Sequence, residues 1–141
     1  MSHKTNFLFN SKFGNFNASE LRVFTVNVDA DKVDVTNLQR QVLYVTEDEG
    51  KFKAETAAKH LSALNPEISI DVYPVWLSKE NALEIFSKYD IVVDGSDNFA
   101  TRYLVSDACV ILKKPLVFGS IFKFEGQVSV FNYKGGPTYR C

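Results

Sequence analysis

The sequence contains few cysteines, no excess of basic residues and no long apolar run, and each of these absences excludes a class of protein. Two cysteines, Cys109 and Cys141, are too few for a disulfide framework. Sixteen Lys and Arg against 17 Asp and Glu leave a net charge of -1, which is not the basic excess of a general nucleic-acid binder. No apolar run approaches the ~20 residues needed to cross a bilayer, so no membrane span is expected.

What the sequence does contain indicates a soluble globular domain with one hydrophobic core. Its 141 residues are 45% hydrophobic and 23% charged, the size and composition of a single domain. No signal-peptide pattern opens the chain, which predicts a cytoplasmic protein. Residues 1–20 show no hydrophobic period and contain one glycine, Gly14. We therefore expect an irregular N-terminal arm over residues 1–20 and a folded domain over residues 21–141.

The order of the predicted elements indicates an α/β fold. Predicted strands cover residues 21–28, 68–75, 90–93, 116–119 and 127–133, and predicted helices cover residues 53–64, 78–88 and 96–112. Strands that alternate with helices and are joined by right-handed crossovers form a mostly parallel sheet with helices on both faces, here finished by a strand pair. Ligands of such sheets bind at the carboxyl ends of the strands.

Polar side chains follow the first predicted strand. Asp29 stands where an acidic residue can accept hydrogen bonds from a ribose hydroxyl, but an Asp that satisfies the N–H groups of its own turn is an equal alternative. Arg40 offers a planar fork suited to two phosphate oxygens and Asn37 an amide nearby, although both could be solvated surface. Lys53 opens a predicted helix, where a cation opposes the helix dipole, so it is either a binding residue or a solvated lysine.

A second polar segment, residues 94–98 (DGSDN), closes a buried predicted strand. Its carboxylate and amide oxygens are the ligands that Mg²⁺ with nucleotide phosphates prefers, and helix capping by Ser96 or Asp97 explains only one of them. Cys109 lies among apolar residues and is expected to be an inert core thiol. Thr138 stands three residues before Cys141, where a zinc-binding C-x-x-C pair would have its first thiolate.

Five short segments of the chain form an ordered series of motifs. They are residues 29–41 (DADKVDVTNLQRQ), 50–53 (GKFK), 65–66 (NP), 94–102 (DGSDNFATR) and 125–131 (EGQVSVF). This series closely resembles the MoeB/ThiF/HesA family, the adenylyltransferases related to ubiquitin-activating enzymes. The resemblance covers residues 21–141 and implies a Rossmann-like fold.

The resemblance also implies a reaction, its ligands and its residues. The family uses ATP and Mg²⁺ to adenylate the C-terminal glycine carboxylate of a ubiquitin-like sulfur-carrier protein, for molybdopterin, thiamine or another pathway. Complete members are expected to be homodimers, without nucleic-acid or membrane partners. The implied catalytic residues are Arg40, Lys53 and Asp97. In the implied site Asp29 contacts the ribose, Asn37, Arg40 and Lys53 contact the phosphates, Asp97 contacts Mg²⁺ and phosphates, and Gln39 and Asn98 lie beside them.

The chain departs from the family pattern at both ends. The family has a strand, a Gly-rich turn and a helix before the segment that matches residues 21–28, whereas only Gly14 precedes that segment here. Such loops hold phosphates through backbone N–H groups. Cys141 is one half of a family zinc pair, and it is not expected to bind zinc alone. We therefore expect a partial member that lacks the first strand-loop-helix unit and is weak or inactive alone.

Two other functions are compatible with parts of the sequence. A non-catalytic fragment or pseudo-enzyme would keep the fold and a partner surface without turning over ATP. A nicotinamide oxidoreductase would also place an acidic residue such as Asp29 at a strand end, but it gives no joint role to Arg40, Lys53 and Asp97.

Overall fold

The computed structural model describes residues 6–10 and 24–141, with side chains from residue 29 onward. These residues form a six-stranded sheet and three α-helices. The strands are β1 (Asn6–Asn10), β2 (Phe24–Val28), β3 (Ser69–Tyr73), β4 (Ile91–Asp94), β5 (Leu116–Phe122) and β6 (Glu125–Phe131), and the helices are α1 (Lys53–Leu64), α2 (Lys79–Ser87) and α3 (Phe99–Ile111). None of these helices is long and apolar enough to span a membrane.

The sheet has the order β3-β2-β1-β4-β5-β6. Strands β2, β3, β4 and β5 run in one direction, and β1 and β6 run in the other. The chain moves outward from β2 to β3 on one side and from β4 to β5 on the other, so right-handed crossovers put α1 and α3 on opposite faces. The predicted α/β fold, with a mostly parallel sheet and helices on both faces, is confirmed.

The central strand of the sheet differs from the prediction. The sequence predicts an irregular arm over residues 1–20, yet Asn6–Asn10 forms β1 between β2 and β4, antiparallel to both. Asn6 pairs with Val28 and with Asp94, so β1 begins at the edge of the sheet where β2 and β4 end. Three apolar residues between asparagines are too few to show a period, and pairing on both sides decides the conformation. The rest of the arm lies outside the described residues.

The core lies between the sheet and the helices α2 and α3. Side chains of α2, the turn after it, β4, α3 and β5 form one buried cluster: Ala82, Ile85, Phe86, Tyr89, Val92, Val105, Ala108, Cys109 and Leu116. Burying a large apolar side chain of this kind contributes about 1.5–3 kcal/mol. Cys109 belongs to this cluster, and burial raises the pKa of its thiol to about 12, in agreement with an inert core thiol. The cluster packs α2 and α3 against β4 and β5, the strands that end beside the site described below.

Candidate active site

A cleft of about 640 Å³ lies at the carboxyl edge of the sheet, beside the ends of β4 and β5. Four parts of the chain line it: the loop after β2, the loop after β4, helix α3 and the β5–β6 hairpin. Its lining residues are Arg40, Gly95, Ser96, Asp97, Arg102, Gly119, Ser120, Ile121, Gly126, Gln127 and Val128. The position agrees with the ligand-binding edge expected of a parallel sheet.

The end of β2 is a closed turn built on Asp29. This residue is 1% exposed, and its Oδ1 accepts the N–H of Asp31 at 2.8 Å. The turn role predicted for Asp29 is therefore present. Asp31 in turn binds Lys53, because its carbonyl accepts the Lys53 N–H at 2.9 Å and its Oδ2 lies 3.7 Å from Lys53 Nζ.

Lys53 itself is buried, with 2% of its surface exposed. The sequence alternative of a solvated lysine is wrong. A charged side chain stays buried only where a partner offsets the loss of hydration, and Asp31 supplies the opposite charge here. Lys53 is also the first residue of α1, so the helix start fixes its position at this edge of the sheet.

Arg40 and Asn37 contact each other, as their spacing suggests. Arg40 Nη2 donates to Asn37 Oδ1 at 2.5 Å, and Arg40 Nη1 donates to the carbonyl of Thr36 at 3.3 Å. Asn37 is buried at the end of the short helical turn Val35–Asn37, whereas Arg40 is exposed at the cleft. Gln39, the residue between them in the predicted set, is exposed. This loop brings one arginine, held by its terminal nitrogens, to the cleft.

The end of β4 repeats the turn of β2 but leaves buried polar atoms without partners. Asp94 is 1% exposed, and its Oδ1 accepts the N–H of Ser96 at 2.9 Å. Within the described residues, Asp94 Oδ2, Ser96 Oγ and Asn98 Nδ2 have no hydrogen-bond partner. Burial raises the pKa of Asp94 above the ordinary value, although the Ser96 N–H, the nearby Ser96 side chain and the charge of Arg102 oppose this. Because buried polar atoms are nearly always hydrogen-bonded, this segment is suited to a bound polar ligand.

The position at which α3 begins determines which residues after β4 remain in the loop. The sequence predicts a cap by Ser96 or Asp97, but Asn98 caps the helix, with its Oδ1 accepting the N–H of Thr101 at 2.9 Å. The Asn98 side chain reaches the Thr101 N–H, so α3 begins later than predicted. Ser96 and Asp97 therefore lie in the loop at the cleft, where Asp97 is exposed. Of the predicted site residues, Arg40 and Asp97 line the cleft.

Arg102 is a cleft residue to which the sequence analysis assigns no role. Its Nε donates to the carbonyl of Ser96 at 3.0 Å. Its guanidinium carbon lies 5.6 Å from the ring centre of Phe99 and 5.2 Å from that of Phe118, distances at which a cation is attracted to an aromatic face. The signal for Arg102 was its spacing, because a residue four positions after the helix cap lies on the same side of the first turn.

Cys141 lies outside the cleft. Its Sγ accepts from the N–H of Thr138 at 3.4 Å and lies 3.4 Å from the Thr138 hydroxyl, and these hydrogen bonds lower the pKa of the exposed thiol. Among the residues that the structure describes, no group of three or more His, Cys, Asp or Glu side chains could hold a metal ion. The expectation that Cys141 binds no zinc alone stays a prediction.

The fold and the cleft together define an α/β protein of the doubly wound type, with arginines and a carboxylate at its ligand-binding edge. The chain belongs to the ThiF family, whose model matches residues 20–141. This confirms the resemblance found in the motifs.

Two curated relatives and one solved structure are similar to this chain. The "Sulfur carrier protein adenylyltransferase" of Thermus thermophilus is 59% identical over 119 residues, which are 81% of this chain and 44% of the relative. The "Probable molybdopterin-synthase adenylyltransferase" of Pyropia yezoensis is 53% identical over 80% of this chain and 30% of its own length. A crystal structure of E. coli MccB with ATP matches with a TM-score of 0.74 and 26% identity, over 82% of this chain and 36% of MccB. The chain thus spans less than half the length of these proteins.

Proposed function

We propose that this chain acts in ATP-dependent adenylation of the C-terminal glycine carboxylate of a ubiquitin-like sulfur-carrier protein. The observation that carries the proposal is the cleft itself, which joins Arg40 from the loop after β2 to Asp97 from the loop after β4. The names of the relatives from Thermus thermophilus and Pyropia yezoensis support the same activity. The proposed assembly is the homodimer implied by the family resemblance.

The proposed reaction needs charge neutralisation more than acid–base chemistry. The carrier carboxylate is already ionised near pH 7, so it attacks the α-phosphorus of ATP without a general base. A carboxylate oxygen–phosphorus bond forms, the bond to pyrophosphate breaks, and the products are an acyl-adenylate and pyrophosphate. Catalysis of this kind rests on positioning and on stabilising the charge of the phosphates.

The charged residues at this edge of the sheet are suited to that task. Arg40 presents a guanidinium already fixed by Asn37, and Lys53 is a buried cation at the same end of the sheet. Asp97 offers an exposed carboxylate at the cleft, a hard oxygen ligand that fits Mg²⁺. Bound there, Mg²⁺ would neutralise phosphate charge. Asp29 holds its turn, and we propose a ribose contact as its second role.

We also propose that this chain binds phosphates more weakly than the Thermus thermophilus relative does. The sequence between β1 and β2 contains a single glycine, Gly14, and therefore carries no Gly-rich motif of the kind that binds phosphates. Strand β1 also runs antiparallel at the sheet centre, with Asn6 beside Asp94. These two observations favour the second candidate, a non-catalytic protein that keeps the fold and a partner surface.

Carrier-dependent exchange of pyrophosphate into ATP separates the two candidates. We expect slow exchange by this chain that depends on both Mg²⁺ and a carrier ending in glycine, and loss of exchange in Asp97→Ala. Lys59→Ala, a change of an exposed lysine on α1, is the matched control and should exchange at the wild-type rate. Undetectable exchange by a folded chain that still binds the carrier would favour the non-catalytic candidate. Exchange by Asp97→Ala at the wild-type rate with limiting Mg²⁺ would exclude the proposed role of Asp97.

A further inference from the structure

The two arginines at the cleft are held in different ways. Arg40 donates from both terminal nitrogens to its own loop, to Thr36 and Asn37. Arg102 is held by its Nε, on the Ser96 carbonyl, and by two aromatic rings. In the part of the chain that the structure describes, neither terminal nitrogen of Arg102 makes a hydrogen bond. Arg102 lines the cleft, and a guanidinium with both terminal nitrogens unbonded within the described chain can bind two oxygens of one anion.

The position of Arg102 separates it from the residues proposed to bind phosphates. Asn37, Arg40 and Lys53 follow β2, whereas Arg102 stacks on Phe118 of β5. In the sheet β2 and β5 are three strands apart, which is about 14 Å at ~4.8 Å per strand. The cleft thus has Arg40 on the side of β2 and Arg102 on the side of β5, and Asp97 of the loop after β4 also lines it.

The wall beside Arg102 has room for a slender chain. Gly119 of β5 and Gly126 of β6 both line the cleft, and a Cβ added at either would meet nothing within 4 Å. Neither glycine is required by packing inside the described chain, nor by a left-handed backbone. The open space next to their backbone suits a peptide without side chains, such as a tail that ends in glycine.

We propose that Arg102 binds the C-terminal carboxylate of the carrier tail and holds it for attack, as a substrate-binding residue distinct from those that contact the phosphates. This inference rests on the proposed function and deepens it, because it names the group that binds the attacking carboxylate. The tail carboxylate and the phosphates of ATP are both oxyanions, and the guanidinium of Arg102 can bind either. The experiment must therefore distinguish the two anions.

A pair of synthetic peptides tests the inference directly. Both carry the same ten residues ending in Gly-Gly, one with a free C-terminal carboxylate and one with a C-terminal amide, and binding is measured by fluorescence anisotropy. The wild-type chain is expected to bind the carboxylate form about ten- to a hundredfold more tightly, as expected for charge-assisted hydrogen bonds. Arg102→Ala should bind both forms equally and weakly, and Arg102→Lys should recover part of the preference.

Matched controls separate this role from a structural one. Arg140 also lies over an aromatic ring, 4.6 Å from the centre of Tyr103, and pairs with Asp107, but it does not line the cleft. Arg140→Ala should leave the preference for the carboxylate unchanged. Gly119→Val should fold, since its side chain meets open space, yet weaken binding of both peptides. Thermal unfolding of each variant shows that the native fold is retained.

Three results would overturn the inference. A folded Arg102→Ala chain that keeps the preference for the carboxylate would remove Arg102 from the tail site and leave the adenylation proposal intact. A wild-type chain that binds both peptides equally would show that no carboxylate site exists. Weakened binding of Mg·ATP by Arg102→Ala, with unchanged peptide binding, would assign the arginine to phosphate instead. Titration of the wild-type chain with Mg·ATP tests the proposed function separately.

Discussion

Strands β2 and β4 each end in a buried aspartate that accepts the N–H two residues further on. At β2, Asp29 binds Asp31, which in turn pairs with the buried Lys53. At β4, Asp94 binds Ser96, but three polar side-chain atoms of the segment have no partner within the described residues, and burial raises the pKa of Asp94. The same local turn is thus complete at one strand end and incomplete at the other. The chain's own contacts complete the first turn, whereas the second leaves buried polar atoms to which a ligand could bind.

The largest expected effect is a loss of stability on substitution at the end of β2, where the turn is complete. Lys53→Met removes the buried cation and leaves Asp31 without its partner, and breaking a buried pair in this way should destabilise the chain by about 3 kcal/mol. Urea unfolding measures the difference. Lys59→Ala, the exposed lysine on the same helix, should change stability by less than about 0.5 kcal/mol. Equal stability of Lys53→Met and wild type would show that the ion pair between Lys53 and Asp31 does not stabilise the end of β2.

A smaller loss is expected from Asp29→Ala. The variant removes the carboxylate that accepts the Asp31 N–H, and loss of a hydrogen bond to a charged group should cost about 2 kcal/mol. The same urea unfolding series measures it. A variant as stable as wild type would show that the turn at β2 does not depend on this bond.

Ser96→Ala should increase the stability of the ligand-free chain, in contrast to the two substitutions at β2. Its hydroxyl is buried without a partner, so removing it in the absence of ligand should stabilise the chain by about 1 kcal/mol. The variant should also bind Mg·ATP more weakly than wild type. Chemical unfolding without ligand and calorimetry with Mg·ATP measure the two effects. Destabilisation of the ligand-free variant would mean that the hydroxyl already has a partner in solution.

The smallest expected effect is a change in pH dependence at Asp94. Burial raises the pKa of Asp94 above the value of 3.8 in the unfolded chain, so the folded state holds its proton more tightly. The stability that this proton provides is present below the unfolded pKa and is lost as pH rises through the folded pKa. Wild type should therefore lose stability relative to Asp94→Asn as the pH rises from about 4 through the raised pKa of Asp94. A constant difference across this interval would refute the raised pKa.

Part of this architecture follows from local sequence alone. Helix α1 begins at Lys53 and ends before Asn65 and Pro66, as the sequence predicts. The residues of this segment have high helix propensity, and proline stops a helix. The motifs after β2 and β4 place Arg40 and Asp97 at one cleft, since parallel strands bring their carboxyl ends to the same edge.

The remaining features depend on contacts distant in sequence. The burial of Lys53 requires Asp31, and β1 requires β2 and β4 on either side of a run that has no period of its own. Asn98 caps α3 because its side chain accepts the Thr101 N–H. Ser96, Asp97 and Asn98 are all good capping residues, so capping propensity alone does not show which of them caps the helix. The spacing of Arg102 from Asn98 puts it on the first turn of α3, but its contacts with Ser96 and Phe118 are seen only in the folded chain.

Calorimetric titration with Mg·ATP tests the central claim most directly, namely that the incomplete end of β4 takes part in binding the ligand. The wild-type chain is expected to bind Mg·ATP weakly, and Asp97→Ala should lose measurable binding, whereas Lys59→Ala should bind as wild type does. Equal binding by wild type and a folded Asp97→Ala variant would contradict the account. The absence of any Mg·ATP binding by the folded wild-type chain would contradict it as well.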